Sequence, residues 1–364
     1  MVEREALRVG VIGCGAGEFH IEGFAADPRV KVVALSGLDG PRCHGLVTKY
    51  GIPHLYGDYS ELLAHPDIDA VSLAVPNHLH RPIAVQALRA GKHVLVEKPL
   101  SRTVEEGEEM VAAAKEAGKV LAVAFQRRQR HDVQLVRHQI EQGRLGRVYH
   151  AKAYWMRRSG IPGLGTWFTN KEQSGGGPLI DLGVHVLDLA SWLLGNPSAL
   201  SVSAATYAEL GPRGRGQWSG GRFSRVEGIP YEVEDFATAF VRYEGGTTLQ
   251  LDVSWAAYTG HSDDFGLSLM GTEGGAEIRS KDYAQVGTLR FFSELDGTPT
   301  VTEPRLLTNH GHTGIVKQFV DSILDGAPPE PSGDEGLERV RLIRLIYRSA
   351  ELGRELRLPE DQDA

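Results

Sequence analysis

Asp181, His185, Asp188 and Trp192 lie in the run Ser174–Gly195, SGGGPLIDLGVHVLDLASWLLG, which is otherwise crowded with apolar residues. Their spacing of i, i+4, i+7 and i+11 puts all four on one face of a helix. Leu179, Ile180, Leu182, Val184, Val186, Leu187, Leu189, Ala190, Leu193 and Leu194 cover the remainder, so the helix should be buried on most sides. Pro178 suits a first helical position and Gly195 a C-terminal stop. Carboxylates and an imidazole on such a helix are costly unless they are paired or face a wet cleft. An imidazole that titrates near neutral pH can take a hydroxyl proton and return it. A satisfied structural Asp–His pair is the alternative from this helix alone.

A second chemical residue is Lys98 in Glu97-Lys98-Pro99. It follows the apolar run Lys92–Glu97, at the end where a parallel strand delivers its loop to a ligand. A cation there can hold an oxygen on which negative charge develops. Pro99 constrains the backbone at that point, and a cis Lys98–Pro99 bond is expected. The other reading is a solvated loop lysine.

A third element is Gly13-Cys14-Gly15-Ala16-Gly17-Glu18-Phe19-His20, entered from the strand-like run Leu7–Ile12 and left by a helix over Ile21–Ala26. Strand, glycine turn and helix make a dinucleotide fingerprint, in which backbone N–H groups approach a pyrophosphate at the positive end of the helix. The spacing departs from G-x-G-x-x-G. The third glycine would fall at Glu18, and Gly17 stands one position early.

These residues need a scaffold. Apolar runs at Val30–Leu35, Ala70–Val75, Lys92–Glu97 and Val120–Phe125 alternate with helical stretches at Pro41–Tyr50, Pro82–Ala90 and Val104–Ala117. Unbroken apolar strands alternating with helices predict a doubly wound parallel sheet of the α/β class, covered on both faces. The loops at its carboxyl edge, GCGAGEFH, SGLDGPR, PNHLH and EKPLS, define a nucleotide cleft. The cofactor candidates are Gly13, Cys14, Gly15, Ala16, Gly17, Glu18, Phe19, Ser36, Gly37, Arg42, Pro76, Asn77, His80, Glu97, Lys98 and Gln126. An NAD site usually carries Asp or Glu at the end of the second strand. Ser36 and Gly37 stand there instead, which leaves room for a 2′-phosphate that Arg42 could pair, so NADP is favoured. In the other reading Asp39 holds an NAD ribose.

In this order and at these separations, GCGAGEFH, AVPNHLH, HVLVEKPLS and SGGGPLIDLGVHVLDLASWLLG resemble the glucose–fructose oxidoreductase / inositol dehydrogenase / rhizopine-catabolism (Gfo/Idh/MocA) family of NAD(P)-dependent oxidoreductases. The resemblance extends to GHTGIVKQFVDSILDGAPP and the final helix. It implies hydride transfer between a nicotinamide and a secondary alcohol of a sugar, cyclitol or related polyol. Lys98, Asp181 and His185 would then be catalytic and would meet at a domain interface. His185 would be the proton acceptor, Lys98 would steady the oxygen, and Asp181 would orient substrate or imidazole. Within the same resemblance some members cleave glycosides with no net redox change, and others reduce imines or act on dihydrodiols. A regulator that binds the dinucleotide without turnover is a further alternative.

The resemblance places Arg127, in Phe125-Gln126-Arg127-Arg128, at the domain junction and near substrate. Arg128 and Arg130 also read as a solvated basic turn. Arg157 and Trp167, on the irregular loop before the central helix, are substrate-binding candidates. From Val148 the pattern alternates, and similar runs recur at Leu200–Tyr207, Asp235–Tyr243, Thr247–Trp255 and Gly266–Met270. They predict a C-terminal α+β domain with a large open, mostly antiparallel sheet. The resemblance implies that this sheet makes a homo-oligomer. Gly211–Gly228 reads as a mobile loop, and one of His310 and His312 could reach the cleft.

With 364 residues the chain exceeds the usual single core, and two domains are expected: 1–125 and 126–330, with 331–364 a C-terminal helix packing back. A net charge of -8 argues against a nucleic-acid partner. Two cysteines, Cys14 and Cys43, show no metal-type spacing, exclude a disulfide scaffold and suit a reducing compartment. No metal site is expected. No leader and no run long enough to cross a bilayer is read, so a cytoplasmic protein is expected.

Overall fold

The computed structural model describes residues 6–38, 40–219, 226–284, 286–307 and 309–358. It divides into two compact units, Met1–Gln129 with His310–Val340, and Arg130–Asn309 with Arg341–Ala364.

In the first unit, strands β1 (Leu7–Ile12), β2 (Val30–Ser36), β3 (His54–Tyr56), β4 (Ala70–Leu73), β5 (His93–Glu97) and β6 (Leu121–Ala124) form one sheet in the order β3-β2-β1-β4-β5-β6. All pairings are parallel. The helices between them are α1 (Gly17–Ala25), α2 (Gly40–Tyr50), α3 (Tyr59–Ala64), α4 (His80–Arg89) and α5 (Val104–Ala117). β4 is buried at every residue, as a strand covered on both faces must be. Thr103 caps α5 by accepting from the Glu106 backbone N–H, and Gly118 closes it in the left-handed conformation. The chain returns to this unit late. Ile315, Val316, Phe319 and Val320 of the helix Gly311–Leu324 join the core built by Val9, Val11, Ile21 and Phe24.

Gly13 is where β1 turns towards α1. Its φ is 104°, its N–H donates to the Ser36 carbonyl at 2.8 Å, and a Cβ there would run into the Ala74 carbonyl. Only glycine meets both demands.

Cys14 and Cys43, whose number and spacing suit a reducing compartment, are paired in the structure. They are joined by a disulfide with their Cα atoms 5.7 Å apart. The two residues are 29 apart in sequence, which gives no hint of contact. The β-α-β crossover, however, sets the turn after β1 beside the start of α2, at a separation suited to a bridge. A single cross-link inside a fully formed core is still not a disulfide scaffold.

The second unit holds β7 (Val148–Arg157), β8 (Ala199–Tyr207), β9 (Phe236–Tyr243), β10 (Thr248–Ser254), β11 (Asp263–Gly271), β12 (Gly275–Lys281), β13 (Leu289–Leu295), β14 (Thr298–Thr302) and β15 (Leu356–Arg357). Their order is β14-β13-β12-β11-β7-β10-β9-β8-β15. Only β7–β10 is parallel among these pairs; the others are antiparallel. The central apolar run splits into a π-helical turn at Leu179–Gly183 and an α-helix at Val184–Leu193, every residue of which is buried. Among the described residues no helix is long and apolar enough to cross a membrane.

Replacing Gly13 by Ala should lower stability by about 1–3 kcal/mol through the positive φ alone. The clash with Ala74 adds to that. Denaturant unfolding of Gly13→Ala against wild type measures the loss; an unchanged midpoint would contradict this account of the turn.

Candidate functional site

The dinucleotide turn comes first. Gly17 opens α1, and among the described residues, its chain neighbours aside, nothing lies within 4 Å of where a Gly15 Cβ would stand. The turn therefore leaves backbone exposed at a helix N-terminus, which is the arrangement a pyrophosphate requires. Phe19 is 41% exposed and stacks on His312 with ring centroids 5.0 Å apart.

Gly37 and Arg42 have local employment. A Cβ on Gly37 would strike the sulfurs of both Cys14 and Cys43, so the missing side chain makes room for the disulfide. Arg42 donates from Nε to the Cys14 carbonyl at 2.7 Å, and its Nη2 lies 3.2 Å from Glu18 Oε2. Ser36 is buried and receives the Gly13 N–H on its carbonyl. The features that suggested room for a 2′-phosphate also serve the turn itself. Asp39, the other candidate at this position, lies outside the described residues.

Pro76 precedes a short helical turn, Asn77–Leu79, in which Asn77 is buried. His80 is completely buried: Nδ1 lies 2.8 Å from the Pro99 carbonyl and Nε2 3.0 Å from the Val75 carbonyl. Burial pushes its pKa below the usual imidazole value. It braces the loop after β4 against the loop after β5.

At the end of β5, Glu97 is 8% exposed. His20 Nε2 lies 2.9 Å and His312 Nε2 3.3 Å from its Oε1, while the Lys98 backbone N–H donates to Oε2 at 3.1 Å. A carboxylate only accepts, so both imidazoles carry their proton on Nε2 when neutral. His20 Nδ1 is then free to accept from the Ser72 hydroxyl at 2.5 Å. Burial alone would raise the Glu97 carboxyl. The imidazole donors of His20 and His312 outweigh it and hold the group well below the usual carboxylate range. His312, an open alternative in the sequence, belongs to this network. The Lys98–Pro99 peptide that follows is cis, as expected.

Gln126 and Arg127 sit half-buried in the turn Gln126–Gln129. Arg128 corrects the solvated-turn reading: it is 1% exposed and its Nη1 pairs with Glu335 at 2.9 Å. Separately, a cavity of about 860 Å³ opens at the amino ends of β1, β4 and β5, lined by Arg8, Asp69, Lys92 and His93. That is the edge opposite the loops discussed above, and parallel sheets bind ligands at the carboxyl edge.

In the second unit the stripe of four divides. Asp181 lies in the π turn, half-buried, and its Oδ2 accepts from the indole Nε1 of Trp255 at 2.9 Å. His185 is 5% exposed and lies against Trp155, with ring centroids 5.7 Å apart. Asp188 is 1% exposed, and Trp192 packs under Arg137, whose guanidinium is 5.1 Å from the ring. Asp181 is the half-buried member of the stripe, and the other three are buried. A π turn widens the helix locally and recurs at functional sites.

Glu234 holds the start of this helix. Its Oε2 accepts from the Gly177 N–H at 3.0 Å; its Oε1 accepts from the Leu179 N–H at 3.0 Å and the Tyr347 hydroxyl at 2.8 Å. A Cβ on Gly177 would meet the Glu234 carbonyl, and one on Gly176 the Tyr347 hydroxyl oxygen. The glycines of SGGG are therefore close-approach residues. Burial raises the Glu234 carboxyl above its usual value despite the donors. Neither Glu234 nor Tyr347 is visible as functional in the sequence, since one lies just before a strand and the other inside an ordinary helix pattern.

Arg157 donates from Nε to Asp263 Oδ2 at 2.8 Å, an acceptor shared with Trp155 Nε1 at 3.0 Å. Trp167 stacks on Phe168, with centroids 3.8 Å apart. Arg130 also departs from the solvated reading and is paired with the buried Asp132. Gly211–Gly228 is anchored at its start: the Leu210 and Gly211 N–H groups both donate to Asp235 Oδ2. Residues 220–225 of it lie outside the described residues.

Comparison with known proteins now bears on this geometry. The pattern of an oxidoreductase family with an NAD-binding Rossmann fold matches residues 7–125, and the GFO/IDH/MocA C-terminal domain matches 133–277. The chain belongs to the GFO/IDH/MocA oxidoreductase family. A D-glucoside 3-dehydrogenase of Escherichia coli is 31% identical over 97% of both chains. A levoglucosan dehydrogenase of Pseudarthrobacter phenanthrenivorans is 29% identical over 94% of this chain and 96% of its own. A levoglucosan dehydrogenase solved with NADH and L-sorbose has a TM-score of 0.84 at 25% identity, covering 98% of this chain and 100% of that one. GenD2 from gentamicin A biosynthesis, solved with NAD, has a TM-score of 0.78 at 29% identity, covering 98% of each chain. This member of the family is an oxidoreductase of the CH–OH class with an NAD-binding domain.

Two tests follow from the buried carboxylates. Because Glu97 is depressed in the folded protein, its contribution is present above the usual carboxylate range and lost as pH falls through its folded value. Glu97→Gln should flatten the acid limb of stability against pH by about one proton; an identical limb would contradict the network. Glu234→Gln should cost about 1–3 kcal/mol, since an amide N–H must face a backbone N–H or the tyrosine hydroxyl. Tyr347→Phe should cost less. Thermal unfolding separates them, and equal stability of Glu234→Gln and wild type would overturn the anchoring role.

Proposed function

We propose that this protein oxidises a secondary alcohol of a sugar or related polyol, with a pyranoside the first class to try. The observation that carries the proposal is the coexistence of Lys98 at the carboxyl end of β5 with Asp181 and His185 on successive turns of the buried helix, in a chain of this family. The names of the relatives support the substrate class: one acts on a D-glucoside and another on levoglucosan.

The backbone from Gly13 to Gly17 and the N-terminus of α1 would hold the pyrophosphate. When bound, the dinucleotide supplies the hydride acceptor. His185 takes the proton of the substrate hydroxyl. Lys98 holds the same oxygen and stabilises the negative charge that grows on it. Asp181, fixed by the Trp255 indole, accepts a hydrogen bond from a neighbouring substrate hydroxyl or orients the imidazole. Arg127, Arg157 and Trp167 are the remaining substrate candidates. Arg157 would act only with the charge left over from Asp263.

The sequence favoured NADP. Arg42 would have to leave Glu18 to take a 2′-phosphate, and the solved relatives carry NADH or NAD, so the NAD(H) reading has the stronger support. Exposed Tyr149, Phe292, Leu295 and Val301 on the nine-stranded sheet support the expectation of a homo-oligomer.

Lys98→Met and His185→Ala should each lower kcat on an active sugar by at least about a hundredfold. Fluorescence titration should show that both still bind NADH, and that wild type prefers NADH to NADPH. Wild-type turnover in either variant would refute the assignment.

A further inference from the structure

The disulfide lies inside the dinucleotide turn. Cys14 stands between Gly13 and Gly15, and Cys43 stands in the first turn of α2. The two elements are tied a second time, because Arg42, next to Cys43, donates to the Cys14 carbonyl at 2.7 Å. Cys14 is 6% and Cys43 0% exposed, and both belong to the packed core of the first unit. Gly37 closes on the bond from one side, where even a methyl group would strike both sulfurs.

We propose that Cys14–Cys43 is a reversible thiol–disulfide site whose redox state sets the affinity of the turn for its dinucleotide. It rests on the reading of that turn as the cofactor site. The co-reactant is a small thiol. One thiolate attacks a sulfur of the bond, forms a mixed disulfide and expels the other cysteine as a thiolate. A second thiol then releases the remaining cysteine and leaves as a symmetrical disulfide. Two electrons and two protons pass to the cysteine pair.

The physical consequence is a change of volume in a site with no spare volume. Two bonded sulfurs become two thiols that must stand at van der Waals separation. On the Gly37 side there is no space to take them. Cys43 is fully buried within α2, whereas Cys14, 6% exposed, stands in the turn between β1 and α1. Cys14 therefore moves, and it carries the backbone N–H groups that receive the pyrophosphate. The oxidised form holds the turn ready for the cofactor, and the reduced form has to be reordered by it. Linkage makes the effect reciprocal: cofactor must oppose reduction by the same factor by which reduction weakens cofactor binding.

The experiment uses the full chain in three states: air-oxidised, reduced with dithiothreitol, and Cys43→Ser. Free thiols are counted before and after reduction, NADH affinity is read by fluorescence, and the reduced fraction is followed in a dithiothreitol redox buffer with and without NADH. We expect no free thiol before reduction and two after it. Reduction should weaken NADH binding about fivefold or more, and NADH should lower the reduced-to-oxidised ratio by the same factor. Cys43→Ser should bind like the reduced form whatever the buffer. Two titratable thiols in the untreated protein, equal affinities within twofold, or a Cys43→Ser variant that still responds to reductant would each overturn the proposal. Binding that is tight and equal in all states leaves the cofactor reading intact and removes this one. A chain that binds neither NADH nor NADPH in any state removes both.

Discussion

A carboxylate excluded from water is the constraint around which the first unit is arranged. Glu97 ends β5 with an anionic group that burial opposes, and the protein keeps it charged by surrounding it with donors from separate parts of the chain. His20 arrives on α1, His312 on the helix that returns near the C-terminus, and the Lys98 N–H from the next residue. Ser72 of β4 orients His20 in turn. The helix that begins at the dinucleotide turn is thereby fixed to the strand that ends at the proposed catalytic lysine. Displacing either would strand a buried charge, which is among the costliest events in a protein interior. The returning segment 310–340 is held by the same logic, through His312 to Glu97 and Glu335 to Arg128.

The second unit solves a comparable problem with the opposite electrostatic outcome. Glu234 also sits without solvent and also accepts three hydrogen bonds, yet burial wins and its carboxyl is raised. The difference lies in its donors, which are two backbone amides and a phenol, with no imidazole able to carry positive charge. What Glu234 secures is geometry. It pins the backbone on both sides of Pro178, so that the π turn starts at a defined point and Asp181 comes to the Trp255 indole. The glycines before it let the chain approach the anchor closely.

Much of this was legible in the residues. The parallel sheet was readable because its strands are unbroken apolar runs between helices, and His54–Tyr56 escaped because three residues make no pattern. The strands from Gly275 onwards escaped for a different reason: EIRSK, LRFFSEL and TPTVT are largely polar segments towards one edge of the sheet, and their pairing is decided by their neighbours. Candidate residues were found where chemistry coincides with local pattern, as at Lys98 after its strand and at Asp181 and His185 on their helix. The supports were not found, because Glu234, Tyr347 and Ser72 act through contacts between distant segments. The sequence also hides what Gly37 and Arg42 do locally. A small residue and a cation looked like a phosphate pocket, whereas three-dimensional neighbours give them work beside the Cys14–Cys43 bond. Arg128 and Arg130 show the same limit, since charge alone does not tell a solvated arginine from a buried paired one.

The central claim is that hydride passes from a substrate carbon to a nicotinamide on this chain. It is tested most directly by supplying NAD⁺ and a panel of pyranosides deuterated at each ring carbon in turn, and reading the nicotinamide by NMR. The account predicts that one substrate, labelled at one carbon bearing a secondary hydroxyl, delivers its deuterium to C4 of the reduced dinucleotide. A sugar consumed with no deuterium at C4 and no net reduced dinucleotide would contradict it.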